Sequence, residues 1–406
     1  MVAIDAGHDS NQMSQVDEFA LGASGGIALH VITRYLRGGS ERRVRDIVAA
    51  LDEFDHHFVI GAESDPELAA DQLGASQITV EPSLRRRPQP FDDVRASIGI
   101  RRVIKSLSPD LVFTHQSKAG ALGRVAARSA GRPVTVHSLS MANFGEGYSR
   151  TQSSLFRWIE KALSPWTDAY AVVGRDLADR YRSLGIPADK LHVVRSGVPI
   201  PIVAESAEAA KHRLGEELAI PVDRPWLIHV GSLEERKNVL TLPRVVELLA
   251  KTDGEPPHLL LAGEGPQEEE LRTEIADRDL ESRCSILGYV DGVSALIKAS
   301  DVLVLLSSAE GLPQVLVQAA SVGTPFVSYR VDGAMEMQGL GARGIVVEPG
   351  DVAATVPAIR LMMEDEDQGA NVDFGSWAPA KIREDYRDLV KRLLRERQAI
   401  ATRRGR

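Results

Sequence analysis

Glu310 and Gln318 are two polar residues, eight positions apart, that follow an apolar segment of the chain. The segment, residues 302–306, reads Val-Leu-Val-Leu-Leu and predicts a buried parallel strand. Glu310 should lie in the turn after this strand, and Pro313 in the first turn of a helix that stops at Gly323. A carboxylate placed beside a helix N-terminus, at the carboxyl end of a strand, lies where open α/β sheets bind ligands.

The spacing suggests one elongated ligand that is contacted at two points. Along a helix axis, eight residues at 1.5 Å each correspond to about 12 Å between Glu310 and Gln318. A structural interpretation is equally open, in which Glu310 caps the helix and Gln318 faces solvent. The spacing alone does not choose between the two interpretations.

The pattern of strand, Glu-Gly-x-Pro, helix and a polar residue eight after the Glu resembles the Glu-x7-Glu signature of glycosyltransferase family 4, whose members are retaining enzymes of GT-B fold. The resemblance implies that Glu310 contacts the transferred sugar, that Gln318 holds the donor ribose, and that Gly311 and Leu312 contact substrate. Gln318 departs from the family pattern, which has Glu there. Because an amide also hydrogen-bonds hydroxyl groups, we expect weakened rather than lost donor binding.

A charged segment follows another predicted strand. It reads Gly-Ser-Leu-Glu-Glu-Arg-Lys-Asn from Gly231, and it resembles the family motif Gly-Arg-Leu-x-x-x-Lys-Gly, whose Arg and Lys grip the diphosphate. Lys237 matches the motif, whereas Ser232 and Asn238 do not. Because transfer builds negative charge on the leaving diphosphate, we expect Lys237, with Arg236, to stabilise it; Ser232 stays a candidate substrate-binding residue. A Lys after a strand is otherwise commonly a surface residue.

Four further residues gain a role from the same resemblance. His137 ends a predicted strand and matches a histidine near the transferred sugar, although a lone His at a strand end is usually structural. Gly38 and Gly39 lie between a strand and a helix, where a chain without Cβ atoms lets the backbone approach the donor phosphate and acceptor, or merely forms a tight turn. Tyr289 lies in a segment that contacts the nucleobase in the family.

Strand and helix patterns alternate through the first half of the chain and restart in the second half. This repetition predicts two doubly wound domains. The family resemblance implies that they are the two Rossmann-like domains of the α/β GT-B architecture, which face a central cleft. The predicted divisions are a disordered extension (residues 1–25), an acceptor domain (26–199), a nucleotide-sugar donor domain (200–375), and a helix with a basic tail that crosses back to the acceptor domain (376–406).

The composition excludes several classes. A net charge of −9 gives no argument for nucleic acid, and a single cysteine, Cys284, excludes disulfide scaffolds and Cys-based zinc sites. No apolar run approaches the roughly 18 residues of a transmembrane helix, and the N-terminus lacks a signal-peptide pattern. The acidic run at residues 365–367 is interpreted as solvated rather than metal-binding. We expect a cytoplasmic enzyme that requires no metal and no cofactor.

The implied reaction is transfer of a hexose from a UDP- or GDP-linked donor to an acceptor hydroxyl, with retention, in cell-surface polysaccharide or glycolipid synthesis. Arginine clusters at residues 85–87 and 101–102 either form a solvated face or favour an acceptor at the inner face of the membrane. Two alternatives stay open. One is a sugar-nucleotide epimerase of the same fold; the other is a non-catalytic nucleotide-sugar-binding protein, supported by Ser232 and Gln318.

Overall fold

The computed structural model describes residues 25–36, 39–74, 77–145, 148–198, 203–364 and 372–404. Four predictions concern residues outside these ranges. They are the role of Gly38, the N-terminal extension before residue 25, the domain boundary at residues 199 and 200, and the acidic run at residues 365–367.

The first half of the chain forms a seven-stranded, fully parallel sheet in the order β3-β2-β1-β4-β5-β6-β7. Its central strands are buried on both faces, which explains their nearly continuous apolar sequences. The strands are β1 (Ile27–Ile32), β2 (Asp55–Gly61), β3 (Ile78–Glu81), β4 (Leu111–His115), β5 (Val134–Leu139), β6 (Ala169–Val172) and β7 (Leu191–Val193).

Helices cover both faces of this sheet, because right-handed crossovers change face where the strand order reverses. One face packs against α1 (Gly39–Ala50) and α2 (Pro66–Leu73). The opposite face packs against α3 (Pro90–Leu107), α4 (Ser117–Ser129), α5 (Arg150–Leu163) and α6 (Arg175–Arg182). A short turn, Ser164–Trp166, follows α5.

The second half forms a six-stranded parallel sheet in the order β10-β9-β8-β11-β12-β13. The strands are β8 (Trp226–Val230), β9 (His258–Ala262), β10 (Cys284–Gly288), β11 (Val302–Leu305), β12 (Phe326–Tyr329) and β13 (Gly344–Val347). The helices are α7 (Ala207–Leu218), α8 (Thr241–Leu249), α9 (Glu268–Ala276), α10 (Ser294–Ala299), α11 (Gln314–Ser321), α12 (Ala334–Gly339) and α13 (Val352–Glu364). The predicted architecture of two doubly wound sheets is therefore confirmed.

The last helix, α14 (Pro379–Arg404), returns to the first sheet. Its apolar residues Ile382, Tyr386 and Leu389 join the core formed by α1 and strands of the first sheet. The Arg43 guanidinium of α1 lies 5.6 Å from the Tyr386 ring centroid. The C-terminal end of the chain thus packs on the half that its N-terminal end builds. Among the described helices, none is long and apolar enough to cross a membrane.

Three histidines form a buried chain across neighbouring strands of the first sheet. The ring of His56 donates to the Leu51 carbonyl (2.9 Å), so its other nitrogen accepts from His30 (3.0 Å), which in turn accepts from His115 (3.2 Å). This pattern requires neutral rings. Burial lowers the pKa of His30 and His56, and burial followed by the Arg43 charge lowers the pKa of His115 to about 3.

We expect the free energy of unfolding to fall as the pH drops below about 6.5. Between pH 6.5 and about 3 the unfolded chain binds protons on these histidines that the folded chain does not, so acid favours unfolding. At pH 5 the shift of His115 alone corresponds to about 2 kcal/mol. Urea titrations from pH 7.5 to 5 measure the slope, which His30→Phe should reduce and His212→Phe, at an exposed position on α7, should not. An equal slope in wild type and His30→Phe would contradict the assignment.

Candidate functional site

The carboxylate of Glu310 binds two basic side chains, and all three residues are predicted to contact the donor. The Lys237 ammonium donates to Glu310 Oε1 at 2.6 Å, and the Arg236 guanidinium donates to the same oxygen at 2.9 Å. The side chains of Glu310 and Lys237 are 11% and 12% exposed, whereas that of Arg236 is 35% exposed. Arg236 also binds Glu234 at 2.8 Å. Two cations and a nearly buried carboxylate therefore form one cluster.

The topology explains why these residues meet. Strands β8 and β11 are neighbours in the second sheet, so the loops after their carboxyl ends lie side by side. The loop after β8 contains a short 3₁₀ turn, Glu235–Lys237, which presents both cations. Two hydrogen bonds fix this turn to the loop that follows β11. Ser308 N–H donates to the Arg236 carbonyl (2.8 Å), and the Arg236 guanidinium donates to the Ala309 carbonyl (3.0 Å).

The cluster keeps Glu310 ionised. Burial alone would raise the pKa of Glu310, but the charges of Lys237 and Arg236 more than offset it and the net pKa is lowered. For Arg236, burial acts to lower the pKa, and Glu310 and Glu234 raise it overall. A carboxylate in this state accepts hydrogen bonds and stabilises positive charge, but it is a poor proton donor.

A histidine that the sequence interpretation missed lies beside the cluster. His229, on β8, is fully buried; its Nδ1–H donates to the Val304 carbonyl (3.2 Å), which leaves Nε2 as an acceptor without a partner among the described residues. A Cβ at Gly231 would lie 3.5 Å from Lys237 Nζ and 3.6 Å from His229 Nε2. Burial and the Lys237 charge lower the pKa of His229 to about 4. The sequence signal that could have identified His229 is a polar residue within the otherwise apolar strand β8.

The loop that carries Glu310 also touches the other half of the chain. Ser140 directly follows β5, and a Cβ at Gly311 would overlap its carbonyl oxygen. No larger residue therefore fits at position 311. Close by, Leu312 is buried and contacts Gly333, whose N–H donates to Asp176 of α6 at 3.0 Å. The second half thus approaches the first half directly beside the charged cluster.

Ion pairs join the two halves near the same place. Arg180 donates to Asp332 at 2.6 Å, and Arg195 donates to Glu336 at 2.5 Å. A cavity beside Glu310 is lined by residues of both halves: Met141, Ala142, Phe144 and Arg180 from the first, and Ala309, Glu310, Val331 and Asp332 from the second. The cluster therefore opens onto the cleft between the two sheets, where small-molecule sites commonly form.

The start of the helix after Glu310 differs from the prediction. Pro313 is the N-cap, with φ −66° and ψ 105°, so α11 begins at Gln314 instead of including Pro313 in its first turn. A residue before proline is disfavoured in the helical region, which keeps Leu312 and the preceding residues in a loop. The 12 Å helical separation between Glu310 and Gln318 is therefore wrong. Glu310 also does not cap the helix, since its carboxylate binds Lys237 and Arg236.

The remaining predicted donor-site residues are more exposed. Ser232 is exposed and donates to Glu234 Oε1 at 3.0 Å, which links it to the cluster through Arg236. Tyr289 is 66% exposed just after β10, and Gln318 is half-buried on α11. Their roles in binding stay predictions. Within the described ranges, no group of three acidic, histidine or cysteine side chains is placed to hold a metal ion.

His137 lies in a different environment. It is fully buried on β5, where its Nδ1 is 3.1 Å from the Thr114 carbonyl and its Nε2 is 4.0 Å from Glu160. Burial, followed by the Arg124 charge, lowers the pKa of His137 to about 3. These neighbours all belong to the first half of the chain, so the structure does not bring His137 into the cluster around Glu310. Its proposed contact with the sugar stays a prediction, as does that of Gly39, the first residue of α1.

Two family models cover most of the described chain. Residues 38–197 match the model described as "Glycosyl transferase 4-like domain", and residues 211–376 match "Glycosyl transferases group 1". With the two parallel sheets and the cleft between them, these matches show that the chain belongs to the family 4 type of GT-B glycosyltransferases. It is a hexosyltransferase that moves a sugar from a nucleotide-sugar donor to an acceptor.

Individual proteins show the same likeness. The chain is 26% identical to UDP-Gal:alpha-D-GlcNAc-diphosphoundecaprenol alpha-1,3-galactosyltransferase of Escherichia coli over 70% of this chain and 74% of that protein. It is 29% identical to the putative glycosyltransferase EpsF of Bacillus subtilis over 74% and 78%, respectively. The crystal structure of Anabaena HepE in complex with UDP and glucose matches with a TM-score of 0.71 at 18% identity, covering 90% of this chain and 99% of that one. None of these similarities favours the epimerase alternative.

Replacing Gly311 by Ala should lower transferase activity at least about tenfold, because the new Cβ forces the Glu310 loop away from Ser140. The matched control is Gly339→Ala, at a helical position where a Cβ meets no atom within 4 Å. Steady-state kinetics on both variants, with circular dichroism to confirm folding, measures the effect. Full activity in Gly311→Ala would show that the approach of the two halves at this point is dispensable.

Proposed function

We propose that this protein is a retaining hexosyltransferase that takes its sugar from a UDP-linked donor and passes it to a lipid-linked or glycan acceptor. The observation that carries the proposal is the cluster of Lys237, Arg236 and Glu310 at the cleft. The Escherichia coli relative supports the choice of donor and acceptor, since its name gives UDP-galactose and a diphosphoundecaprenol-linked sugar. The complex of HepE with UDP and glucose supports the same donor base.

The two cations suit a diphosphate. Lys237 and Arg236 now share one carboxylate oxygen, and a diphosphate offers them several oxygens and a larger negative charge. On donor binding, the diphosphate takes these cations and Glu310 turns to the sugar hydroxyls. Negative charge that builds on the leaving group is then stabilised by groups already in place. In this scheme transfer needs no metal ion, because the protein itself supplies the positive charge.

A retaining reaction is compatible with a charged Glu310. In the reaction the bond between the sugar C1 and the diphosphate oxygen breaks, a bond from C1 to the acceptor oxygen forms on the same face, and the acceptor proton passes to the leaving diphosphate. The lowered pKa of Glu310 keeps it a carboxylate, so it positions the sugar and stabilises the cationic transition state without donating a proton. Gln318 would hold the ribose, and Tyr289 would lie against the base.

We place the reaction in the cytoplasm, at the inner face of a membrane that holds the acceptor. The support is the lipid-linked acceptor of the Escherichia coli relative, together with exposed arginines at residues 85–87. The proposed product belongs to cell-surface polysaccharide or glycolipid synthesis.

UDP should raise the stability of the wild-type protein, because a ligand that binds the folded state alone adds about 2.7 kcal/mol at a hundredfold excess over its Kd. Lys237→Ala should abolish this stabilisation, since the diphosphate loses its buried cation. The control is Lys251→Ala, an exposed lysine paired with Glu247. A thermal-shift panel of UDP- and GDP-linked sugars makes the measurement. Equal stabilisation of wild type and Lys237→Ala would move the diphosphate away from the cluster.

Glu310→Gln should fold and bind donor but reduce transfer by about a hundredfold or more, because the uncharged amide no longer stabilises the cationic transition state. Product formation from labelled donor and a lipid-linked acceptor extract measures this, with EDTA added in one arm to check that no metal is needed. Free UDP released from donor alone, at the full rate, would favour the epimerase. Donor binding without any transfer in wild type would favour a non-catalytic protein, and Gln318→Glu would then test whether the family carboxylate restores activity.

A further inference from the structure

Exposed apolar side chains concentrate on one layer of the first half. Seven of the fourteen large hydrophobic residues that are exposed in the described chain lie on three successive helices of one face and the turn after them. Phe91 is 86% exposed and Trp158 is 67% exposed, which is unusual for aromatic residues. The complete set is Phe91, Val94 and Ile98 on α3, Val125 on α4, Leu155 and Trp158 on α5, and Trp166 in the turn.

On α3 and α5 these residues form apolar stripes. Phe91, Val94 and Ile98 are spaced three and four apart, which puts them on the same side of α3. Leu155 and Trp158 have the same three-residue spacing on α5. α3 packs against α4 and α4 packs against α5, so the stripes share one outer surface, hereafter the α3–α5 face. It lies opposite the face that α1 and α14 cover.

The three helices of the α3–α5 face carry a net charge opposite in sign to that of the whole protein. The three helices carry ten basic and three acidic residues, in a chain whose net charge is −9. All three acidic residues are already in ion pairs: Asp92 with Arg95, Asp93 with Lys118, and Glu160 with Arg124. The remaining basic residues therefore give these helices a positive net charge. Among them, Arg102 and Lys161 are exposed next to the apolar stripes.

The α3–α5 face also adjoins the mouth of the cleft. Tyr148 packs edge-on against Phe156 of α5, with ring centroids 5.7 Å apart. Gly145 N–H donates to Ser153 Oγ of α5 (3.1 Å), and the neighbouring Phe144 lines the cavity beside Glu310. The start of α5 is thus joined directly to a loop that lines the cavity beside Glu310.

We propose that the α3–α5 face docks onto an anionic lipid bilayer. Phe91 and Trp158 insert between the headgroups, and the basic residues around them neutralise the lipid phosphates. This arrangement places the cleft mouth at the membrane surface, where a lipid-linked acceptor would enter. The proposal rests on the proposed function for the nature of that acceptor, but the docking itself depends on the face alone.

Vesicle binding by the full chain tests the proposal. Of the four tryptophans, Trp226 and Trp377 are fully buried, so a change of emission on docking reports Trp158 and Trp166. We expect a blue shift and co-sedimentation with phosphatidylcholine vesicles that contain phosphatidylglycerol, weaker binding to pure phosphatidylcholine, and weaker binding at high salt. The double variant Phe91→Ala/Trp158→Ala should bind at least about tenfold more weakly by co-sedimentation, because the inserted apolar surface is lost.

Matched variants separate this face from general surface effects. Arg102→Glu/Lys161→Glu should also lose at least about tenfold in binding, whereas Lys391→Glu/Arg397→Glu on α14 should not. Leu361→Ala/Ile400→Ala, which removes exposed apolar residues elsewhere, should bind like wild type. UDP-induced thermal stabilisation should be unchanged in Phe91→Ala/Trp158→Ala, so a failure of donor binding and a failure of docking are distinguishable.

Three results would overturn the proposal. Wild type could fail to bind anionic vesicles at low salt. The two α3–α5 variants could bind vesicles as tightly as wild type. Wild type could elute as a dimer that Phe91→Ala/Trp158→Ala converts to a monomer, which would make the face an interface between two copies of this chain.

Discussion

The contact on which the rest of the site depends is the ion pair between Lys237 and Glu310, 2.6 Å long and almost removed from water. Leaving either charge unpaired in such a place costs several kcal/mol, so each group needs the other until a ligand replaces it. A diphosphate can take the cation and a sugar can take the carboxylate at the same time. The pair therefore keeps both groups charged and positioned in the free protein. When a complete donor binds, the diphosphate and the sugar replace the two partners at the same time.

The approach of the two halves makes this pair part of a cleft. Gly311 follows Glu310 directly and touches Ser140 of the first half, which fixes how closely the first sheet approaches the Glu310 carboxylate. The other contacts between the halves include ion pairs, such as Arg180 with Asp332, and a buried apolar cluster that contains residues of both halves, such as Tyr181 and Leu316.

Much of this arrangement could be predicted from sequence. The alternation of apolar strands with helices predicted the two sheets, and the family resemblance assigned Lys237 and Glu310 to one donor; the pairing of β8 with β11 brings them together. The partner of Gly311 was not predictable, because Ser140 lies far away in the chain. The burial of His137 and the free nitrogen of His229 depend on packing that local patterns do not encode. The start of α11 was misplaced because proline served as the cap.

Competition between Glu310 and the donor diphosphate for Lys237 is the central claim, and calorimetric titration with UDP tests it most directly. Removing the carboxylate charge in Glu310→Gln should tighten UDP binding by about tenfold, because the diphosphate no longer displaces an anion from Lys237. The gain should vanish when Lys237 is also replaced by Met. Unchanged or weaker UDP binding in Glu310→Gln would contradict the account, since it would mean that the diphosphate and Glu310 do not share the same cation.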